Sequence, residues 1–487
     1  MNRRIRYVAT AVLIMFIALL INSNVVQVGE ASSLRANPHN VRVLYGEYDH
    51  QRGPIVVAGK DVARSIPTND QLKYLRTYPG GAEYAPVTGF YSLVVGASGI
   101  EQTQDPVLAG TDDRLFIHRL SDEITGRTPQ GGSVILTLNP RAQAAAYNGL
   151  TGVRGAVVAM NPTTGAILAL ASSPSYNPSV LSTHNTSQIA ASYHKLLHDP
   201  GEPLINRATS QTYPPGSLFK IVTSAAAFST GKYSPASRVA SPDALRLPLT
   251  TTYVHNFGGE SCGDGHTSTI ADAFRISCNT AFANLGLQIG NDTLAAQAKA
   301  FGIGEPESIP LPVAASQFNS NANLPNTALA AIGQYDDALT PMQAVQIGAA
   351  IANHGVEMKP YLVAQERGPD ASVLSQTQPQ VLRRSVSARV AQQVTGMMEL
   401  VVSSGTGQAA QIPGITVAGK TGTAQHGTSA EHLPPHAWFV AFAPAQHPSV
   451  AVAVLVEDGG SLGSDATGGA VAAPIARDVM CAVLGCS

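Results

Sequence analysis

The chain has 487 residues, with 30 basic and 32 acidic side chains and a formal net charge of −2 at pH 7. This balance gives no electrostatic basis for nucleic-acid binding, which requires a basic surface. With 44% apolar and only 13% charged residues, the composition excludes a disordered chain and predicts a loop-rich globular protein of two or three domains.

The N-terminus combines basic residues with an apolar run. Three arginines within the first six residues precede about 20 mostly apolar residues, from Tyr7 to Val26, which is long enough to cross a bilayer. Because positive residues stay on the cytoplasmic side, residues 1–6 are predicted to be a cytoplasmic tail and residues 7–27 a single-pass signal anchor in the cell membrane. Everything after the anchor is then extracytoplasmic. A cleaved signal peptide is the alternative, although no convincing Ala-x-Ala site follows the run.

The next segment differs in composition from the rest of the chain. Residues 28–132 are rich in Gly, Tyr, Pro and Thr and contain short apolar runs, such as 55–57 and 91–95. Short runs of this kind between turn residues predict strands. We therefore expect a β-rich pedestal domain over residues 28–132, ending in a linker at 126–132.

The remaining residues, 133–487, mix strands with Ala-rich helices. Near the end, two apolar runs at 437–444 and 449–457 predict paired strands, and a helix is predicted from about 470 to 484. Adjacent strands followed by a returning helix indicate an α+β domain, with an antiparallel sheet and helices on both faces.

Within this domain, a serine and a lysine three residues apart open an apolar run. Ser217 follows Pro214-Pro215-Gly216, and the run from Lys220 onward is rich in alanine as far as Phe228. This pattern predicts a buried helix with Ser217 at its N-terminus, and residues i and i+3 lie on one face. The other Ser-x-x-Lys, at 192–195, lies in a polar stretch and is not favoured.

This pair suits nucleophilic catalysis with lysine as the base. A serine hydroxyl is a poor nucleophile until a base removes its proton. The Lys220 amine can serve as that base when burial and a second cation favour its neutral form, and Lys420 is the candidate for the second cation. Backbone N–H groups at the helix start suit a developing oxyanion.

Ser277-Cys278-Asn279 forms a second motif. Ser277 and Asn279 lie two residues apart, so a tight loop can aim both side chains into one cleft, where Ser277 relays a proton and Asn279 hydrogen-bonds a peptide. Cys262 and Cys278 flank a 15-residue segment, and a disulfide between them would brace this loop outside the cytoplasm. A buried free thiol at Cys278 is the alternative.

Residues 420–423, Lys-Thr-Gly-Thr, form the third motif. They follow a β-branched run at 415–419 that predicts a strand. Gly419 and Gly422 allow another backbone to come close, which suits a peptide substrate that adds to the edge of this strand. The lysine supplies a cationic clamp for a carboxylate.

His426, His432 and His436 invite a metal-site interpretation. Pro434-Pro435 separates them, and no acidic or cysteine ligand has zinc spacing. We therefore predict a polar loop at the rim of the site, with no metal and no cofactor. Trp438, the only tryptophan in the chain, is predicted to pack in the core beside the third-motif strand.

The three motifs occur in one order, with 60 residues from Ser217 to Ser277 and 143 from Ser277 to Lys420. Further segments extend the pattern: Arg52-Gly53-Pro54-Ile55, the run from Gly155 to Leu170, Asn206-Arg207-Ala208, and the run from Ala437 to Pro444. On these residues the chain resembles the class B penicillin-binding proteins, most closely their short actinobacterial kind, over roughly residues 35–485.

The resemblance implies a serine penicillin-recognising transpeptidase domain after the pedestal. In such a domain Ser217 would be acylated and Lys220 would be its base, with backbone N–H groups of Ser217 and Thr423 forming the oxyanion hole. The remaining site residues implied are Ser277 and Asn279 in the second motif and Lys420, Thr421, Gly422 and Thr423 around the substrate carboxylate.

The implied function is a peptidoglycan D,D-transpeptidase that crosslinks stem peptides in cell wall synthesis at division and is acylated by β-lactams. A separate membrane glycosyltransferase is the implied partner. A second interpretation lets water resolve the acyl-enzyme, as in a D,D-carboxypeptidase or β-lactamase, but β-lactamases lack the large pedestal. A third is a β-lactam-binding scaffold or sensor. A scaffold predicts loss of the catalytic set, which is intact, and a sensor needs more than six cytoplasmic residues.

Overall fold

The computed structural model describes residues 2–26, 48–126, 128–427 and 433–486. Its first helix, α1 (Asn2–Asn24), is exposed along its length and is long and apolar enough to cross a membrane. The predicted anchor therefore coincides with a helix. Residues 27–47, which contain the end of that anchor and the start of the predicted pedestal, lie outside the described residues.

The strands and helices after α1 follow one another in a mixed order. The strands are β1 (Ile55–Val57), β2 (Lys60–Pro67), β3 (Tyr74–Thr77), β4 (Tyr91–Ser92), β5 (Gly96–Ala97), β6 (Ser133–Leu136), β7 (Gly155–Met160), β8 (Ile167–Ser173), β9 (Arg238–Ala240), β10 (Ala244–Arg246), β11 (Tyr253–His255), β12 (Thr267–Thr269), β13 (Glu307–Ser308), β14 (Pro312–Val313), β15 (Val356–Met358), β16 (Val363–Arg367), β17 (Val373–Gln376), β18 (Val381–Arg384), β19 (Ala418–Ala424), β20 (His436–Ala443) and β21 (Val450–Val456). The α-helices are α2 (Gly81–Thr88), α3 (Gly99–Thr103), α4 (Asp105–Leu108), α5 (Phe116–Thr125), α6 (Pro140–Gly149), α7 (Thr186–Leu197), α8 (Lys220–Ser229), α9 (Ile270–Arg275), α10 (Asn279–Ile289), α11 (Asn291–Ala300), α12 (Leu324–Ala330), α13 (Pro341–Ala352), α14 (Ala388–Ser404) and α15 (Ala473–Leu484).

A five-stranded antiparallel sheet organises the larger domain, in the order β19-β20-β21-β7-β8. Its central strands are buried on both faces, because helices cover both. Alternate side chains of β21 enter two separate cores: Ala451 and Ala453 face the core that includes α8 and α13, whereas Val452 and Val454 face the core with α6 and α15. The predicted antiparallel sheet with helices on both faces is confirmed.

A six-stranded sheet organises the pedestal, in the order β17-β16-β6-β1-β2-β3. β6 pairs parallel with β1, and β16 pairs antiparallel with β6. Short helices α2 to α5 accompany the predicted strands of this region. Since β6, β16 and β17 come from residues after 132, the sheet extends across the predicted domain boundary and ties the pedestal to the larger domain.

A buried ion-pair cluster holds the pedestal together at the Arg-Gly-x-Ile element. Glu101, with no exposed surface, accepts hydrogen bonds from Arg52 Nε at 2.7 Å and Arg76 Nε at 2.6 Å. Burial opposes the charged form of Glu101, but Arg76 and Arg52 outweigh it, so its pKa lies below the usual range. Beside them, a Cβ on Gly53 would lie 1.7 Å from the carbonyl oxygen of Gly132, so only glycine fits there.

We predict that Glu101→Gln destabilises the pedestal strongly. The substitution leaves the buried Arg76 without a counter-charge and leaves the buried Arg52 only the partly exposed Asp105. Breaking a buried ion pair costs about 3–5 kcal/mol. Asp105→Asn is the matched control, because Asp105 also bonds Arg52 but its side chain is 48% exposed, and exposed pairs contribute about 0–1 kcal/mol. Thermal unfolding of the full chain in detergent tests this; equal shifts in Tm for the two variants would contradict it.

Candidate active site

Ser217 lies at the start of a buried helix, as predicted. A 3-10 turn, Gly216–Phe219, leads directly into α8, in which every side chain from Lys220 to Phe228 is buried. Ser217 itself is half-buried. Gly216 adopts a φ of 53°, and a Cβ there would lie 2.7 Å from Thr423 O. The turn with the serine thus packs directly on the strand of the third motif.

Lys220 connects this helix with the second motif. Its fully buried Nζ donates to Ser277 O at 2.7 Å and to Asn279 Oδ1 at 2.8 Å, and it lies 3.4 Å from Ser277 Oγ. Ser217 lies one helical turn earlier. In this structure, therefore, the hydrogen bonds of the amine are to the second motif.

Lys420 approaches the same hydroxyl from the other side. Its Nζ, also fully buried, donates to Ser277 Oγ at 2.9 Å and to Thr421 O at 2.8 Å. Each amine also faces an aromatic ring, with Lys420 Nζ 5.5 Å from the centre of Phe274 and Lys220 Nζ 5.6 Å from that of Phe282. The structure thus brings Lys220, Ser277 and Lys420 together, although 200 residues separate the two lysines in sequence.

The two lysines cannot easily be charged together. Burial lowers the pKa of Lys220 well below its ordinary value, and the nearby Lys420 lowers it further. Burial lowers the pKa of Lys420 to about 7. Two causes act against the charged form of Lys220, so of the two amines it is the one whose neutral form is favoured and which can accept a proton. Lys420 is cationic below about pH 7 and can then attract a carboxylate.

The loop of the second motif is held in a strained and braced form. Ser277 has a φ of 64°, a left-handed conformation that is rare for a residue other than glycine and is often found at functional sites. The structure joins Cys278 to Cys262 by a disulfide. Asn256, which the sequence analysis did not single out, accepts hydrogen bonds from the backbone N–H groups of Asn279 and Thr280 through its side chain. Together these contacts hold Ser277 and Asn279 toward Lys220.

The third motif lies within β19, an edge strand of the sheet. The sequence prediction placed the strand at 415–419, but the strand begins at Ala418 and contains the motif itself. The motif supplies four of the seven residues that pair with β20. Thr421 is held by a hydrogen bond of 2.6 Å between its hydroxyl and that of Thr406. Among the described residues β19 pairs with β20 alone, and such an edge can accept an added peptide strand.

The two motif glycines lie in close contact with other parts of the protein. A Cβ on Gly422 would lie 2.9 Å from Pro215 O, and one on Gly419 would lie 2.6 Å from the ring of Phe439. These glycines therefore allow parts of the protein itself to approach. The indole of Trp438, which is fully buried as predicted, donates to Pro214 O at 2.9 Å and fixes the serine turn against the same strand.

A carboxylate network behind the serine turn was missed by the sequence analysis. Glu457, directly after β21, accepts hydrogen bonds from Arg207 Nε at 2.8 Å, Arg154 Nε at 2.8 Å and Tyr213 Oη at 2.7 Å. Tyr213 leads into the Pro-Pro-Gly turn before Ser217. Arg207, which lies in one of the segments that carry the family resemblance, is fully buried, and a buried arginine requires such a partner.

Two of the three histidines lie together at the end of β19. The rings of His426 and His436 stack with centres 3.8 Å apart, and Asp458, remote in sequence, lies 3.0 Å from His426 Nε2. His426 Nε2 also contacts Pro434 O, and His436 Nδ1 accepts a hydrogen bond from the Asp458 backbone. The spacing of residues near the histidines in sequence does not reveal this acidic neighbour. Each of these ring nitrogens already has a partner within the protein. His432 lies outside the described residues.

The competing Ser-x-x-Lys lies on the surface. Ser192 and Lys195 are on α7, where Lys195 is exposed and the helix buries only Ile189. The turn that packs on the strand of the third motif is instead the one that carries Ser217.

Comparison with known proteins agrees with this geometry. The model of the penicillin-binding protein transpeptidase domain matches residues 155–481, and that of the penicillin-binding protein A dimerisation domain matches residues 52–134. The chain belongs to the penicillin-binding protein transpeptidase family. It is 49% identical to the peptidoglycan D,D-transpeptidase PbpA of Mycolicibacterium smegmatis and 46% identical to that of Mycobacterium tuberculosis, in each case over 99% of both chains.

Solved structures of family members agree with the fold. The ceftriaxone acyl-enzyme complex of penicillin-binding protein A from M. tuberculosis aligns with a TM-score of 0.88 and 46% identity, over 90% of this chain and 100% of that one. The corresponding penicillin G acyl-enzyme complex aligns with a TM-score of 0.85 over 89% of this chain. As a member of this family, the chain has the fold of proteins that β-lactams acylate.

We predict a rate of acylation by penicillin G that falls as pH rises above about 7. With a pKa of about 7, Lys420 loses its proton over this range, and the loss of the cation weakens binding of the penicillin carboxylate, by about tenfold per pH unit in the limit. Lys420→Arg keeps its charge, so its alkaline decline should move upward by at least one pH unit. Stopped-flow acylation across pH 5–10 measures this.

The control for this experiment is Lys195→Arg, a substitution of an exposed lysine far from the motifs in sequence, which should leave the pH profile unchanged. An alkaline decline at the same pH in an active Lys420→Arg enzyme would exclude Lys420 as its source.

Proposed function

We propose that this chain is a membrane-anchored peptidoglycan D,D-transpeptidase, with Ser217 as the nucleophile and Lys220 as its base. The observation that carries the proposal is that the buried amines of Lys220 and Lys420 both contact the Ser277 hydroxyl, with Ser217 one helical turn before Lys220. Acyl transfer by serine requires a base with a lowered pKa next to the nucleophile, and burial of Lys220 supplies it.

In the first half of the reaction, Ser217 Oγ attacks the carbonyl carbon between the two D-alanines of a stem peptide while its proton passes to the neutral Lys220 Nζ. The tetrahedral oxyanion is stabilised by the backbone N–H groups of Ser217 and Thr423. The C–N bond then breaks and D-alanine leaves with a proton relayed through Ser277 Oγ, which lies within 3.4 Å of both lysine amines.

In the second half, the amine of a neighbouring stem peptide attacks the ester carbonyl of the acyl-enzyme. Its proton passes back through the same groups, and the Ser217 hydroxyl is regenerated as the crosslink forms. A β-lactam undergoes the first half-reaction when Ser217 opens its strained amide. The leaving nitrogen stays attached to the acyl group, so the ester persists. This accounts for acylation by penicillins with the same residues.

The free edge of β19 supports a position for the donor peptide. The peptide would lie along Lys420–Thr423 as an added strand, with its terminal carboxylate against the Lys420 cation and the hydroxyl groups of Thr421 and Thr423. The Asn279 amide, whose Oδ1 accepts from Lys220 and whose Nδ2 donates to His255 O at 3.1 Å, faces the same cleft. It would hydrogen-bond the peptide backbone of the donor.

We predict that Ser217→Ala abolishes labelling by a fluorescent penicillin and transfer from a D-Ala-D-Ala thioester to an amine acceptor. Alanine has no hydroxyl oxygen that could attack the carbonyl and form the ester. Ser192→Ala, in the competing Ser-x-x-Lys, should leave both activities within twofold of the unaltered protein. In the unaltered protein, product formed with the acceptor should exceed hydrolysis; hydrolysis alone would instead indicate a D,D-carboxypeptidase. Equal labelling of the two variants would contradict the assignment of Ser217.

We also propose the topology that the sequence suggested: a cytoplasmic tail (1–6), an anchor (7–27), a pedestal (28–132) and an extracytoplasmic catalytic domain (133–487). The exposed apolar helix α1 supports it. We expect protease added outside sealed spheroplasts to digest the penicillin-labelled domain; protection until the cells are lysed would contradict this topology.

A membrane glycosyltransferase is the proposed partner, because crosslinking acts on glycan strands that a glycosyltransferase must polymerise. We expect the full chain to stimulate glycan polymerisation by this partner. A variant with α1 replaced by an unrelated membrane span should not stimulate it. An equal rate with and without the chain would contradict this partnership.

A further inference from the structure

The apolar side of the pedestal helix α5 faces away from the protein. Its four large apolar side chains, Phe116, Ile117, Leu120 and Ile124, are between 43% and 77% exposed. At 100° per residue they fall within an arc of about 100° on one side of the helix. In a helix that packs on its own domain, such a stripe faces the core, whereas here it faces outward.

The polar side of α5 is the side that contacts the protein. Arg119 Nη1 donates to Gly110 O at 3.1 Å and to Asp112 O at 2.5 Å. His118 Nε2 lies 3.8 Å from a carboxylate oxygen of Asp370, in the turn between β16 and β17. The orientation of α5 is therefore fixed by polar contacts, and its apolar stripe is left without a covering in the described residues.

Residues 27–47 connect α1 to Tyr48 in the chain and are called the tether below. The segment after α5 is close to the point where the tether joins the pedestal. The segment after α5 returns to Gln130, which bridges to Gln51, and Gly131 N donates to Gln51 O at 2.9 Å. Gln51 follows the first described residue after α1, Tyr48, by three positions. Residues 27–47 number 21 and can span at most about 70 Å, so the tether enters the pedestal beside the segment that follows α5.

We propose that the apolar stripe of α5 inserts into the outer surface of the lipid bilayer that holds α1, so that the pedestal rests on the membrane. An interfacial helix of this kind requires a strongly segregated apolar face, which α5 has. The helix contains one arginine and no lysine, so its insertion is driven by burial of apolar surface and not by anionic headgroups. The inference rests on the proposed anchoring of the chain and is independent of its catalytic chemistry.

The size of the stripe favours lipid over a second copy of the chain. Four side chains with this exposure offer about 400 Å² of apolar surface, whereas a stable protein interface buries about 800 Å² on each partner. Insertion into a bilayer requires no such minimum buried area. The anchor already holds the pedestal at the membrane surface, so α5 has only to insert locally.

The test uses tryptophan fluorescence of the full chain in phosphatidylcholine vesicles, with and without brominated acyl chains that quench tryptophan on contact. Trp438 is the only native tryptophan and is fully buried, so it supplies a constant background. Phe116→Trp and Ile124→Trp report from the α5 stripe. Phe257→Trp is the matched control, because Phe257 is a similarly exposed phenylalanine, 62% against 56%, next to the second motif.

We expect brominated lipid to quench the added emission of both α5 variants by at least twofold and to leave that of Phe257→Trp unchanged. Quenching of Phe116→Trp no greater than that of Phe257→Trp would overturn the proposal. Emission that shifts with the protein-to-lipid ratio without bromine quenching would assign the stripe to a second copy. A blue-shifted emission independent of that ratio, again without quenching, would assign it to residues 27–47.

Two measurements keep these outcomes separate from other failures. Labelling of each variant by a fluorescent penicillin reports that the chain is folded and that the proposed acylation occurs, whereas quenching requires no acylation. Flotation of the protein with vesicles reports that α1 is inserted. A variant that floats and is labelled, yet is not quenched, contradicts the α5 proposal alone.

Discussion

The active site depends on one electrostatic constraint: two lysine amines are buried on either side of a single serine hydroxyl. Charged amines so close together in a site with little water repel each other, and burial penalises both. The structure relieves this by favouring the neutral form of Lys220 and supplying carbonyl and hydroxyl acceptors to both amines. The same imbalance gives the site a base and a cation at once.

The surrounding structure serves to keep these groups at short range. Gly216 and Gly422 allow the serine turn to contact β19 at backbone distance, and the Trp438 indole joins the same two segments. The disulfide at Cys278 and the Asn256 side chain hold the second motif from the other side. Three segments from distant parts of the chain thereby meet beside the edge strand β19.

The pedestal is part of the same architecture. Its sheet includes β16 and β17, which come from the larger domain, so the catalytic body and the pedestal are joined by backbone hydrogen bonds and by more than a linker. The buried Glu101 cluster stiffens the pedestal at the end nearest the tether. A rigid connection of this kind lets the membrane contact of the pedestal set the height and orientation of the cleft.

The sequence by itself determined the motifs, the helix that follows Ser217, the paired strands near the end of the chain and the apolar N-terminal helix. These follow from local patterns: apolar periodicity, proline and glycine at element ends, and residue types with known chemistry. Only the tertiary structure decided which groups meet. The contact of Lys220 with Asn279, the Asp458 beside the histidines, the Glu457 network and the sheet shared across residue 132 all join residues far apart in sequence. No local pattern encodes such contacts, because they arise when separate elements pack into one core.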